Sequence, residues 1–138
     1  MKKVIAIIVL GLLWCNVGFA MSQQSAIDNY LSKGKLDNVE GIWITHRGNV
    51  IAIYKNVSSY RVVVISDEYF SSGQNIGNLN KGSANTFYGE QRWTWMYDSG
   101  AIGGYSIYRI TYNISKNTAY VKISGPEGSG NRTFSRFV

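Results

Sequence analysis

Val39-Glu40-Gly41-Ile42-Trp43-Ile44 is the first strand-like run of this 138-residue chain. From it to the C-terminus the sequence reads as strand, turn, strand. Within Glu40–Arg47, alternation puts Gly41, Trp43, Thr45 and Arg47 on one face and Ile42, Ile44 and His46 on the other. A glycine two residues before a tryptophan, at the start of a run of short strands, predicts the opening strand of a small β-barrel.

Upstream of that strand the chain reads as a leader and a lead-in. Met1-Lys2-Lys3 is basic, Val4–Trp14 is apolar apart from Gly11, and Gly18-Phe19-Ala20 supplies small residues. That order predicts a cleaved signal peptide over 1–20, and the apolar run is short of the roughly 20 residues a membrane span needs. Cys15, the one cysteine, falls inside the leader; Trp14 before it is too large for a lipidation signal. The expectation is an exported protein, periplasmic or extracellular and of bacterial character, with no stable membrane span after cleavage and no disulfide or thiolate metal site in the mature chain.

Residues 21–38 are expected to hold one short helix and a polar connection. Ser25 and Asp28 have the spacing of a capping box, Ile27, Tyr30 and Leu31 make one apolar stripe, and Gly34 is placed to end the helix. A helix this short needs a surface to pack on, so it should lie against the side or mouth of the barrel.

The barrel domain occupies 39–138. His46–Asn49 and Asn56–Ser59 read as tight turns around strands at Val50–Lys55 and Tyr60–Ile65. Ser66–Gly73 is a loop or one helical turn, and Gln74–Ser83 a weak or edge strand. Asn85–Tyr97 is the longest strand signal, with Phe87, Trp93, Trp95 and Tyr97 on one face. Gly103-Gly104 suggests a bulge ahead of a strand at Tyr105–Ile114. Ala119–Ile123 is the next strand, glycine-rich Ser124–Asn131 reads as a loop, and Arg132–Val138 closes the domain. About eight strands on short turns, with no crossover helix, predict an all-β, antiparallel up-and-down barrel preceded by one short helix. A two-layer sandwich is the alternative.

The stretch Asp37–Trp43 resembles the Gly-x-Trp signature of the lipocalin-like (calycin) barrels. The resemblance implies that Trp43 closes one end of the barrel and that an arginine late in the chain packs over its indole. Arg132 or Arg136 is available, and Arg132 is the expected one, so Gly41, Trp43 and Arg132 form the expected structural closure. It also implies an interior able to hold one small apolar or amphipathic molecule.

Composition restricts the chemistry. Fourteen basic against eight acidic residues give a net charge of +6; losing Lys2 and Lys3 leaves twelve against eight, or +4. The basic residues form no run, which disfavours nucleic acid. His46, the one histidine, has no acid close in sequence and reads as a solvent-facing turn residue rather than a general base. No pair of carboxylates, Gly-x-Ser-x-Gly elbow, metal-ligand cluster or phosphate loop is legible, so no catalytic residue, metal or cofactor is expected.

Aromatic residues are the remaining signal. Phe87, Trp93, Trp95 and Tyr97 are candidate ligand-lining residues, although core packing explains the same pattern. Three functions follow in order: a non-catalytic exported binding protein with a small apolar ligand; an interaction module for a protein or glycan, with a filled barrel and no ligand; and, least supported, a hydrolase using His46.

Overall fold

A computed structural model describes residues 23–31, 36–96, 102–126 and 128–137. The side chains of residues 23, 94–96, 102, 103 and 105 are outside that description. The leader with Cys15, Gly34 and Tyr97 also lie outside the described residues.

Helix α1 (Gln23–Tyr30) precedes eight strands: β1 (Gly41–Ile44), β2 (Val50–Asn56), β3 (Ser59–Ser66), β4 (Asn75–Lys81), β5 (Thr86–Met96), β6 (Ile102–Ser115), β7 (Thr118–Gly125) and β8 (Gly128–Arg136). Each strand pairs antiparallel with the next, and β8 returns to β1, so the sheet closes as an up-and-down barrel. The architecture expected from the turn spacing is the one found.

Alternation sorts the side chains. Trp43, Ile53, Tyr60, Val62, Leu79, Phe87, Tyr112 and Phe134 point inward and are essentially inaccessible to solvent. On the outside, Ile42, Val50, Ala52 and Ile65 form a second apolar patch, covered by Ala26, Ile27, Tyr30 and Leu31 of the helical segment and by Phe137. The helix therefore packs on the wall, and β1–β3 are apolar on both faces because both are covered. Its described span runs Gln23–Tyr30, so Ser25 stands within it rather than at its cap; Asp28 accepts a hydrogen bond from Gln24 Nε2 at 2.9 Å.

Several boundaries depart from the sequence reading. β1 ends at Ile44, because Thr45 opens the turn: its N–H bonds Asn49 O at 2.8 Å, and its Oγ1 accepts from the amides of Arg47 and Asn49. Residues 67–74 are a loop, folded on Asp67 Oδ1, which accepts from the amides of Tyr69 and Phe70. β4 lies between β3 and β5 and is no edge. The doubled glycine carries the expected bulge, with Trp95 opposite Gly104 and Met96 opposite Ile102.

The largest difference is at 124–131, where β7 and β8 continue almost to the tip, so Gly125, Gly128 and Gly130 are strand residues. A Cβ on Gly125 would stand 2.5 Å from the Tyr108 ring, and one on Gly130 would stand 2.9 Å from the Arg132 guanidinium. Glycine here makes room for neighbouring side chains rather than marking a loop.

Two register facts shape the rest of the molecule. β5 pairs with β4 only as far as Gln91, and β6 pairs with β7 only from Arg109 onward, so the outer parts of β5 and β6 pair with each other alone. β1 meets β8 only at Trp43–Arg136 and Ile44–Ser135, although β8 runs seven residues further toward its own start.

Candidate functional site

One end of the barrel is shut by the opening stretch. Gly41 has φ +154°, a backbone region essentially reserved for glycine, and this conformation leads the chain from the 37–40 segment into β1. Trp43 is fully buried and donates from Nε1 to Val39 O at 2.9 Å. Glu40 is also buried, and its carboxylate accepts from the amides of Asp37 and Lys55 at 2.7 and 2.8 Å.

Arg136, not Arg132, lies over the indole, with its guanidinium carbon 4.3 Å from the ring centroid. It donates to the carbonyls of Glu40 (2.9 Å) and Asn38. Register decides between the two arginines: both point inward, but Arg136 is directly opposite Trp43 while Arg132 is opposite Val121, a full turn of the ladder nearer the other end. Asp37 completes this end by accepting from the Tyr60 hydroxyl and facing Lys81 and Lys55 at 3.3 and 3.9 Å. These contacts hold the carboxyl below its ordinary value, chiefly through the Tyr60 hydrogen bond. The Tyr60 phenol is pushed up by burial and by Asp37.

The middle of the barrel is filled. Phe87 packs edge-on to Tyr60, Phe134 packs edge-on to Tyr112, and the Tyr112 hydroxyl donates to Gln91 Oε1 at 2.6 Å inside the apolar core. The candidate lining residues Phe87 and Trp93 are thus packed core members, 0% and 8% exposed. Trp95 is placed only by its backbone.

At the open end, His46, Trp93 and Phe134 form a set of nearly parallel rings with centroids 5.6 to 6.2 Å apart. His46 is in the expected turn, but because the strand stops before Thr45 its ring turns over the mouth. Arg47 sits 6.0 Å from the Trp93 centroid. Burial against the rings and the charges of Arg132 and Arg47 lower the His46 pKa to about 4. Beneath this group is a space of about 30 Å³, bounded by Ile51, Asp67, Phe70, Ile76, Gln91 and Trp93 among others, large enough for about one water molecule. Beside it, an open groove of about 480 Å³ runs past His46, Tyr120, Lys122, Asn131, Arg132 and Thr133.

Little of this is catalytic equipment. Among the described residues, no three His, Cys, Asp or Glu side chains are grouped so as to hold a metal, and no helix is long and apolar enough to cross a membrane. The open-end group was not legible beforehand; its one signal was the choice of a histidine and an arginine for consecutive turn positions. Comparison with family models, curated proteins and solved structures finds no match to this chain.

Proposed function

We propose that this is an exported binding module of lipocalin-like (calycin) architecture that acts through its surface, for a protein or glycan partner, with its barrel filled by its own side chains. The observation that carries the reading is the interior. Among the described residues, the space bounded by core side chains such as Ile51, Ile76, Gln91 and Trp93 amounts to about one water. The larger hollows, of about 860 Å³ at the 65–72 loop and about 480 Å³ beside Arg132, are open to the surface, whereas small-molecule sites are cavities of roughly 300–1,000 Å³ that bury most of their ligand. Eight strands make a barrel whose side chains can fill it, and here large aromatic residues do so.

The family assignment draws support from Gly41-x-Trp43 with Arg136 over the indole, and export from the basic, apolar and small order of the leader. Surface recognition is supported by Tyr88, Ile107 and Tyr120, exposed on three consecutive strands at 50, 61 and 55%, and by the cation-rich mouth. A hydrolase has less support, since His46 is flanked by arginines and aromatic rings and its basicity is depressed.

Native mass spectrometry of protein purified from its own source tests the reading. The expected mass is that of the polypeptide alone. A retained apolar or amphipathic molecule, displaced by substitutions at Phe87 or Trp93, would overturn it in favour of a small-ligand carrier.

A further inference from the structure

β8 has a free edge. Phe137 N–H bonds Ile42 O at 2.7 Å and Arg136 N–H bonds Asn117 O at 2.7 Å, so around the close of the barrel odd-numbered residues address β1 and even-numbered residues address β7. The β7–β8 register is unbroken from Thr118–Ser135 to Gly125–Gly128, and alternation carries the same sense along the strand. The N–H and C=O groups of Ser129, Asn131 and Thr133 therefore point to the side that β1 has left. Among the described residues no backbone hydrogen bond reaches them from the Thr45–Asn49 turn, and all three are exposed. Among the described residues the edge carries no proline, bulge or covering helix, and its one inward-pointing charge, Arg132, is the device left to keep it from pairing indiscriminately.

The surroundings of this edge are cationic. Arg132 and Lys122 line the adjoining groove with His46 and Tyr120, and Arg47 stands on the same turn as His46. No carboxylate lies within 4 Å of Arg132 or Lys122 among the described residues; Arg132 donates only to the neighbouring Asn131 carbonyl, at 2.8 Å. Asp67 borders the small space on the far side of His46.

We infer that the Ser129–Thr133 edge of β8 is a docking site for an extended acidic segment of a partner protein, which adds to the barrel as a further antiparallel or parallel strand. Main-chain bonds to residues 129, 131 and 133 provide the seat. Alternate acidic side chains of the added strand fall on one face, where Arg132 and His46 receive them. The inference rests on the surface-binding reading above and names its partner class.

A fluorescein-labelled (Glu-Thr)5 peptide, with (Lys-Thr)5 as its counterpart, tests this by anisotropy on the full chain. The acidic peptide should bind at pH 7.5, less tightly as salt is raised, and the basic one should not. Thr133→Pro removes an edge-facing N–H while sparing the β7 ladder, and should weaken binding at least tenfold; Arg132→Gln should weaken it and flatten its salt dependence. Amide exchange is independent of any variant's folding: the peptide should slow exchange at residues 129, 131 and 133, while residues 130, 132 and 134 are slow without it. Several results would overturn the proposal. These are equal binding of both peptides, unchanged exchange at the three odd positions, a wild-type dimer lost in Thr133→Pro, or a sulfated oligosaccharide that binds the groove and ignores Thr133→Pro. A small molecule found inside the barrel would count against the filled-barrel reading and leave these titrations as they are. Failure of the peptide to dock, with an empty mass spectrum, removes the edge proposal alone.

Discussion

Arg136 is stacked on Trp43, 4.3 Å from guanidinium carbon to ring centroid, while its nitrogens bond the carbonyls of Glu40 and Asn38. One side chain thereby ties the last strand to both the indole and the backbone of the opening stretch. Planarity lets the guanidinium do both, and an ammonium cannot. Arg136→Lys should lower unfolding free energy by about 2 kcal/mol, the range for hydrogen bonds to a charged donor. Trp43→Ala should cost about 3–5 kcal/mol through lost packing and a cavity. Denaturant midpoints at constant m-value check both, and the double variant should lose less than the sum because the partners touch.

The Tyr60–Asp37 contact sets a pH dependence. Asp37 is held below its ordinary value of 3.8, mainly by the Tyr60 hydroxyl and then by Lys81 and Lys55. A depressed carboxyl stabilises the fold when ionised, so its contribution is present above that ordinary value and is lost as pH falls through the folded-state pKa. Tyr60 works in the opposite range: its phenol is raised above 10.0, so stability is lost as pH climbs from there. Tyr60→Phe should cost about 1–2 kcal/mol at pH 7, and the cost should shrink as pH falls below the ordinary carboxyl value of 3.8 and Asp37 is protonated. Urea titrations of both proteins across that range would show the curves converging; parallel curves would refute the assignment.

Gln91 and Tyr112 are a polar pair inside the core, joined at 2.6 Å and both nearly inaccessible. Tyr112→Phe strands the Gln91 carbonyl and should cost about 1–3 kcal/mol. Adding Gln91→Met removes the stranded group, so the double variant should recover most of that loss. A double-mutant cycle with coupling under about 0.5 kcal/mol would show that the pair contributes nothing as a pair.

The barrel was legible because its cues are local. Short turns at 46–49 and 56–59 and period-two alternation in β5 and β7 need no knowledge of partners. Choosing between Arg132 and Arg136 needed register, which is non-local: both residues face inward, and only the Trp43–Arg136 pairing separates them. Reading β8 from Arg132 hid that register, because Gly125, Gly128 and Gly130 look like a loop when the Tyr108 ring and Arg132 guanidinium they accommodate are not visible. His46 was assigned by strand parity to the Ile42 face. Parity fails once Thr45 starts a turn, and the ring then reaches Trp93 and Phe134.

Glycine placement gives the sharpest contrast in sign. Gly89 is opposite Leu79, and a Cβ there would stand 1.9 Å from the Asn78 carbonyl oxygen. That atom is backbone in a central strand pair and cannot swing away, so Gly89→Ala should part β4 from β5 and cost more than about 4 kcal/mol. Val57 has the reverse problem. It is 90% exposed and holds φ +61° at the first of two residues linking β2 and β3, a conformation that a β-branched residue adopts only under strain. Glycine at that position relieves the strain and loses no buried surface, so Val57→Gly should raise stability by about 1 kcal/mol. Thermal melts of the two variants should move in opposite directions. A Val57→Gly protein less stable than the parent would mean that the valine side chain is held by contacts beyond the hairpin.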